Sequence, residues 1–456
     1  MPPQRRIDVV LDSVKRLLRV GATANLFNLF QKQHPADLAQ IFGELAERDR
    51  IAAFSVLVER NSRLAMETVS ELGPETGAAL LARRSADEIA KLVQEAPSDD
   101  AAAIIDHLPG ELKTAVLELM GRKESGDVEN LLEYAEQTAG RIMNPTVFAL
   151  SEDMTVGEAI TALQSSRDVE MVFYLYIVDA RRHLVGVISL RRLLLVSPET
   201  PLKRIMTADP ISARVDMDQE EVARLVASYN LLAIPVVEEG NKLVGIITVD
   251  DVIDVIKDEA TEDMFRLAGV SSDEHVSTPA VQSLKMRMPW LIVNLATAFL
   301  AAGVVGLFQH TISTWIALAV FMSVPAGMGG NAATQTLAVI VRGIALGELT
   351  WGNSRKALVK EILVGVGNGL ATGCVAAVVA WVMYRDPTVG VLLAIAMVFN
   401  LFVAGTAGTL IPLGLKALKF DPALVSTVFI TTFTDVCGFA SFLGLATLFT
   451  HYFPKT

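Results

Sequence analysis

Apolar positions along this chain fall into three rhythms. Through residues 1–130 they recur at spacings of three and four, the period of amphipathic helices. Turn signals interrupt them near His34-Pro35, Leu72-Gly73-Pro74, Ala96-Pro97-Ser98 and Leu108-Pro109-Gly110. Short helices separated by such turns predict an all-α stacked superhelix. Ser98, followed by Asp99 and Asp100, predicts a helix start with Ser98 as its cap. From about residue 141 short apolar strands alternate with helical stretches. Beyond residue 289 the pattern becomes long runs almost free of charge. These runs predict five membrane spans at roughly 289–309, 314–341, 358–384, 388–415 and 424–452, each long enough for a hydrocarbon core about 30 Å thick.

The middle region repeats itself. Leu184-Val185-Gly186-Val187-Ile188-Ser189 recurs as Leu243-Val244-Gly245-Ile246-Ile247-Thr248, and Ile142-Met143 recurs as Ile205-Met206. Each copy carries a helical stretch, Val156 to Ser165 and Gln219 to Tyr229, and then a strand, Tyr174 to Val178 and Ala233 to Val237. Over 141–258 this order resembles a tandem pair of CBS domains. In such pairs that bind adenine nucleotides, a Gly, a Thr or Ser and a following Asp contact ribose and phosphates. The resemblance implies that role for Gly245, Thr248 and Asp251, whereas the first copy has Gly186 and Ser189 but Arg192 in the Asp position. Apart from the resemblance, Thr248 reads equally as the cap of the next helix, with Asp251 favouring its positive dipole end.

Composition agrees with a membrane protein of about three domains: 456 residues, 52% of them hydrophobic, with a mean hydropathy of +0.43. The formal net charge of -12 sits mainly in the first part, which argues against nucleic acid and is compatible with cations. Cys374 and Cys437 lie in apolar runs and form no metal spacing or disulfide framework. No nucleophile and base pair, metal cluster or Walker loop stands out, which argues against an enzyme. Met1 to Val20 shows no continuous apolar stretch after its arginine pair, so the N-terminal part is expected in the cytosol. Lys285, Arg287, Arg342, Arg355, Lys356, Lys360, Lys416 and Lys419 fall on one side of the predicted spans. That places the 342–357 and 416–423 loops in the cytosol and the C-terminus outside.

Chemistry gathers at two places. Between the repeat and the first span, Asp251, Asp254, Asp258 and Glu262 would form one acidic helix stripe, with Asp250, Glu259 and Asp263 beside it. Like charges at this spacing repel unless neutralised, and a hard divalent cation such as Mg²⁺ is one candidate; a solvated face is the other reading. Asp99 and Asp100 either begin a helix or bind a divalent ion against an acidic edge of the neighbouring domain. Within the lipid part, Pro325-Ala326-Gly327-Met328-Gly329-Gly330-Asn331 would loosen a helix, with Asn331, Thr334 and Gln335 on one side. In the last span Thr427, Thr431, Asp435 and Gly438 share a stripe, and the pattern makes Asp435 the only acid inside a predicted span. A charge at that depth costs roughly 2.5–3.5 kcal/mol on insertion scales and marks an ion path. The stripe reads as pore lining; close glycine packing and hydroxyls bonded to their own helix are the alternatives.

Pro325 to Thr336 and Thr431-Thr432-Phe433-Thr434-Asp435, in this order of parts, resemble the MgtE family of magnesium channels. The resemblance implies a multi-domain membrane protein: a cytosolic helical N domain (1–135), tandem CBS domains (136–258), a connecting plug helix (259–286) and a five-span pore domain (287–456). It further implies a homodimer in the plasma membrane, passing Mg²⁺ passively through a pore lined by the second and fifth spans. Asp435 would hold a hydrated Mg²⁺ through its waters, and Asp421 would face the connecting helix. Cytosolic Mg²⁺ would close the pore by bridging Asp99 or Asp100, Asp216, Asp218, Glu220, Asp250, Glu259, Glu262 and Asp263. ATP or another adenine nucleotide would modulate the CBS pair. The competing readings are a transporter of Co²⁺ or Mn²⁺, a carrier coupled to protons or Na⁺, and a membrane-anchored nucleotide sensor.

Overall fold

The computed structural model describes residues 3–166, 173–271, 274, 276, 278–418, 420–422 and 427–452. It divides into two units, Met1–Ile256 and Lys257–Thr456, and the border falls inside one helix.

The first unit opens with α1 (Pro3–Val20), α2 (Thr23–Phe30), α3 (Pro35–Glu44), α4 (Glu47–Arg60), α5 (Ser62–Glu71), α6 (Pro74–Leu81), α7 (Ala86–Val93), α8 (Ser98–Asp106), α9 (Gly110–Leu119) and α10 (Arg122–Glu133). Local chemistry starts several of them. Asn61 accepts from the Leu64 N–H, and Ser85 and Glu88 form a reciprocal capping box. Ser98 is not a cap. Pro97 occupies that position in an extended conformation, so the helix begins immediately after it and Ser98 becomes its first residue. The apolar faces bury Phe30, Phe42, Phe54, Met66 and Ile104 completely. That core continues without a break into Ile234, Ile247 and Val252 of the second repeat.

After the short α11 (Ala139–Ile142), the first repeat runs β1 (Ala149–Ser151), α12 (Val156–Ser165), β2 (Tyr174–Val178), β3 (Leu184–Ser189), α13 (Leu190–Leu194) and β4 (Thr207–Ala208). The second runs β5 (Ala213–Arg214), α14 (Gln219–Tyr229), β6 (Ala233–Val237), β7 (Leu243–Thr248) and α15 (Val249–Ala268). The copies share their register. β1 and β5 pair parallel to β2 and β6, and β3 and β7 pair antiparallel to them, with the same irregularity after Ile177 and Val236.

The repeats are also interlocked. β4, which precedes the second copy, pairs with β3 of the first, while Asn144, which precedes the first, bridges to Ile246 of the second. This exchange accounts for the two Ile-Met pairs and the two hexapeptide glycines. A Cβ on Gly186 would lie 2.6 Å from Met206 Sδ, and one on Gly245 2.5 Å from Met143 Sδ. Each methionine fills the place of the side chain that the other copy's glycine lacks.

In the second unit, α15 runs on to Ala268 and ends at Gly269, whose positive φ of 69° suits a residue without a Cβ. The predicted helix over 259–286 is therefore not a separate element: its first ten residues are the end of α15, and its last seven begin α16 (Ala280–Leu307). α17 (Gln309–Thr314) follows, and the second predicted span, 314–341, is divided between α18 (Ala317–Phe321) and α19 (Ser323–Ala345). Then come α20 (Ser354–Tyr384), α21 (Pro387–Ala417) and α22 (Thr427–Tyr452). Among the described residues four helices, α16, α20, α21 and α22, are long and apolar enough to cross a membrane. α19 is not one of them, since its glycines, Asn331, Thr334, Gln335 and Thr336 lower its hydropathy.

α20 and α21 meet backbone to backbone. Gly365, Gly369 and Gly373 recur every fourth residue along α20 and face Leu401, Val398 and Ala394, while Gly390 and Gly405 of α21 reciprocate against Ala377 and Glu361. This is the small-residue packing by which membrane helices associate.

Gly245→Ala is expected to destabilise the first unit by about 1–3 kcal/mol through overpacking against Met143, and Met143→Ala in the same chain to recover part of it. Thermal unfolding of the two variants checks the pair.

Candidate cation pathway and acidic clusters

α22 lies against α19 with almost no side chain between them. A Cβ on Gly330 would touch Thr431 Cγ2 at 3.3 Å, one on Gly329 would meet Thr434 Cβ at 3.3 Å, and one on Gly438 would lie 2.9 Å from Ala326 Cα. Asp435 stands beside this seam, half-buried, and no ion pair involves it among the described residues. On α19, Asn331 and Gln335 are exposed. The carboxylate and the amides are thus carried on two helices whose register is set by glycine contacts.

The other stripe positions behave differently. Gly438 is buried, and its missing side chain lets α22 pack against Ala326 of α19. The Thr431 hydroxyl donates to the Val428 carbonyl of its own helix at 3.1 Å. Thr427 donates to the Leu267 carbonyl at the end of α15 at 3.2 Å, tying the start of α22 to that helix. Asp435 is also not the only acid in the spans. Glu361 of α20 is buried, accepting from Thr336 Oγ1 at 3.1 Å and pairing with Lys360 at 2.8 Å. Its signal was present in sequence as an acid inside the 358–384 run. Asn400, an isolated amide in the 388–415 run, is buried too and donates to the Pro325 carbonyl at 2.7 Å.

The predicted metal residues separate into two groups. In the first unit, the shared core brings the start of α8 to the start of α15. Asp99 Oδ1 is buried there without a hydrogen-bond partner. Burial raises its pKa well above the usual carboxylate value, and the neighbouring Asp251 and Asp100 raise it further. Asp251 is pushed up to about 6, by burial first and then by Asp250 and Asp100, against the hydrogen bonds it accepts from Thr248. Asp250 itself is exposed. Asp99 and Asp251 are thus crowded by like charge in a buried place.

In the second unit, Arg266 supplies such a charge. It pairs with Glu262 and with Asp421, so one fixed cation satisfies two acids expected to need a metal. Asp263 stays raised, through burial and then the nearby Glu259. Arg266 was legible only as one basic residue in an acidic run. Glu274, which sequence reasoning missed, is clamped by Arg287 Nε at 2.8 Å. Away from both groups, Asp216 pairs with Arg214 at 2.9 Å, which lowers its pKa, and Asp218 caps α14 through the Glu220 N–H at 2.8 Å. Among the described residues no three His, Cys, Asp or Glu side chains converge tightly enough to hold a metal ion by themselves. Mg²⁺ needs only one or two carboxylates and keeps its waters. The orphaned oxygen of Asp99 suits that mode.

The residues expected on a nucleotide are engaged elsewhere. Gly245 is covered by Met143, and Thr248 Oγ1 donates to Asp251 Oδ2 at 2.7 Å. A cavity of about 690 Å³ opens instead beside the first copy, lined by Tyr174, Ser189, Arg191, Leu194, Leu195 and Leu232 among others.

Comparison with known proteins bears on all of these parts. A family model described as "Divalent cation transporter" matches residues 322–445, an MgtE intracellular N domain model matches 33–137, and the CBS domain model matches 139–199 and 202–258. The "Magnesium transporter MgtE" of Enterococcus faecalis is 38% identical over 332 residues, 73% of each chain. That of Thermus thermophilus is 35% identical over 336 residues, 73% of this chain and 74% of that one. The chain belongs to the MgtE family of magnesium transporters.

For this MgtE chain the soluble fold has a crystallographic counterpart. The cytosolic domain of "the Mg2+ channel MgtE in complex with ATP" aligns with 54% of the chain and 99% of that structure, at 35% identity and a TM-score of 0.51. Membership makes the chain a transporter, and transport is not an enzymatic reaction. An MgtE transporter has instead to move an ion past apolar helices, and beside the α19 and α22 seam Asp435 has no ion-pair partner among the described residues.

A raised folded-state pKa means that the Asp99 and Asp251 contact contributes most stability below the unfolded carboxylate value of about 4 and loses it as pH rises through about 6. Asp251→Asn should therefore raise the thermal midpoint of the full-length MgtE protein at pH 7.5 without Mg²⁺, by about 2–4 °C for each kcal/mol relieved. The gap should close near pH 4. Equal midpoints at pH 7.5 would count against the crowding account.

Proposed function

We propose that the chain is a passive Mg²⁺ channel of the plasma membrane, acting as a homodimer whose pore lies between the two copies. The observation that carries this reading is Asp435, a half-buried carboxylate on α22 with no ion-pair partner among the described residues, set against the glycine-rich α19 with its exposed Asn331 and Gln335. A row of amides and one carboxylate suits an ion that keeps its water shell, since Mg²⁺ dehydrates reluctantly. Five spans then cross the lipid, α16, the α18 and α19 pair, α20, α21 and α22, with the N-terminus in the cytosol and the C-terminus outside. Polar α19 is tolerated at that depth because it faces water or protein. The membrane potential supplies the work, about twice 2.3 kcal/mol for a divalent ion at 100 mV.

Regulation follows from the acidic groups. Mg²⁺ at Asp99, Asp100, Asp250 and Asp251 would offset the repulsion of crowded carboxylates and favour the compact, closed arrangement. At Glu259 and Asp263 it would do the same beside the end of α15, whose Leu267 carbonyl already holds Thr427 at the start of α22. ATP or a related adenine nucleotide is the proposed modulator, supported by the ATP complex of the similar cytosolic domain and by the cavity beside Ser189 and Arg191.

Asp435→Asn is expected to cut Mg²⁺ flux into liposomes at least tenfold while insertion and folding persist; wild-type flux would remove Asp435 from the pathway. Competition by Co²⁺ and Mn²⁺ in the same assay separates a magnesium channel from a broader divalent transporter, and the absence of flux would favour a nucleotide sensor. Neutralising Asp250, Asp251, Glu259 and Asp263 together should leave the channel open at high internal Mg²⁺ in patch recordings. Unchanged closure would rule out the charge-bridging account.

A further inference from the structure

Asn400 of α21 is wholly buried at the meeting point of α19, α21 and α22. Its Nδ2 donates to the Pro325 carbonyl at 2.7 Å, while its Oδ1 has no hydrogen-bond partner. The amide fits only because two neighbours lack side chains. A Cβ on Gly329 would overlap Asn400 Nδ2, and one on Gly438 would lie 2.8 Å from it. Both glycines flank the cation pathway. Gly438 lies three residues after Asp435 on α22, and Gly329 lies two before Asn331 on α19. Thr434, next to Asp435, is fully buried against the Gly329 position.

A side chain that merely filled this junction would be apolar, since an orphaned amide oxygen in a membrane interior carries a penalty with no return. The group that Asn400 does satisfy is informative. Pro325 begins the stretch of α19 where glycines leave the helix without side-chain support, and the amide holds that stretch by its carbonyl.

We propose that Asn400 is a positioning residue of the cation pathway. By pinning the Pro325 carbonyl it sets the register of α19 on α22 and thereby the placement of Asn331 relative to Asp435. The inference rests on the pore reading of Asp435. Asn400 touches no ion; it acts through the two helices it holds.

The test uses the full-length protein in liposomes, measuring Mg²⁺ flux against Mg²⁺ concentration with Co²⁺ as competitor. Asn400→Leu, which keeps the branched skeleton at a larger volume and removes the donor, is expected to shift the half-saturating Mg²⁺ concentration or the Co²⁺ competition roughly three- to twentyfold, the range that interhelical hydrogen bonds in membranes span. Gly329→Ala should cause a shift of the same kind when Asn400 is present, and no further shift once Asn400→Ala has removed the amide. That comparison stands even where Asn400→Leu fails to fold. Wild-type saturation and competition in Asn400→Leu, or independent effects of Gly329→Ala and Asn400→Ala, would overturn the proposal. Asp435→Asn runs beside them: wild-type flux there defeats the pore reading, whereas lost flux there with unaltered Asn400 variants defeats this inference alone.

Discussion

Backbones and side chains in this protein approach one another through missing Cβ atoms, and most of its architecture depends on that constraint. Met143 and Met206 occupy the places left by Gly245 and Gly186, which locks the two repeats together. Along α20, three glycines spaced by four residues let its backbone rest on α21. At the seam of α19 and α22, Gly329, Gly330 and Gly438 admit Asn400, Thr431 and the Ala326 backbone. Each socket accepts one partner and rejects a larger residue, so register is specified by contact. A bilayer offers little hydrophobic drive between helices, which makes such close packing the main source of specificity there.

Charge is organised on the opposite plan, by withholding partners. Asp99 and Asp251 are held together by a core that continues from the helical domain into the second repeat, and their repulsion is the cost of that core. On the proposed reading a mobile cation would relieve it, which would give ion concentration a direct hold on the packing. The second acidic group is tempered by Arg266, which balances part of its charge through Glu262 and Asp421. The α19 and α22 seam shows the extreme case, with Asp435 carrying no fixed counter-charge among the described residues.

Much of this was legible in the chain. Helical rhythm with proline and glycine turns marked the first helices, and the duplicated hexapeptide marked both repeats because strand pairing obeys local pattern. Asp435 was conspicuous because a charge in an apolar run is costly wherever the run folds. Ser98 misled, because the preceding Pro97 starts the helix one residue earlier than a side-chain cap would. The packing roles of Gly245 and Gly438 were not legible, for another reason. A glycine in sequence does not say what fills its socket, and the fillers, Met143 and Asn400, are distant in the chain or isolated in an apolar run. Arg266 likewise reads as an ordinary basic residue until Asp421 is brought to it from 155 positions away.

By itself the sequence determined the broad succession of helical, strand-forming and strongly apolar segments, which residues repeat, and that a carboxylate must be accommodated in an apolar helix. These are consequences of period, composition and transfer energy, all local quantities. Only the tertiary structure decided which acids crowd without relief and which are paired. Only it decided that Thr248 and Asp251 bind each other, that Glu361 is buried against Thr336, and that Asn400 spans three helices. Electrostatic and packing energies depend on separations between groups remote in the chain, and those separations exist only once the backbone is folded.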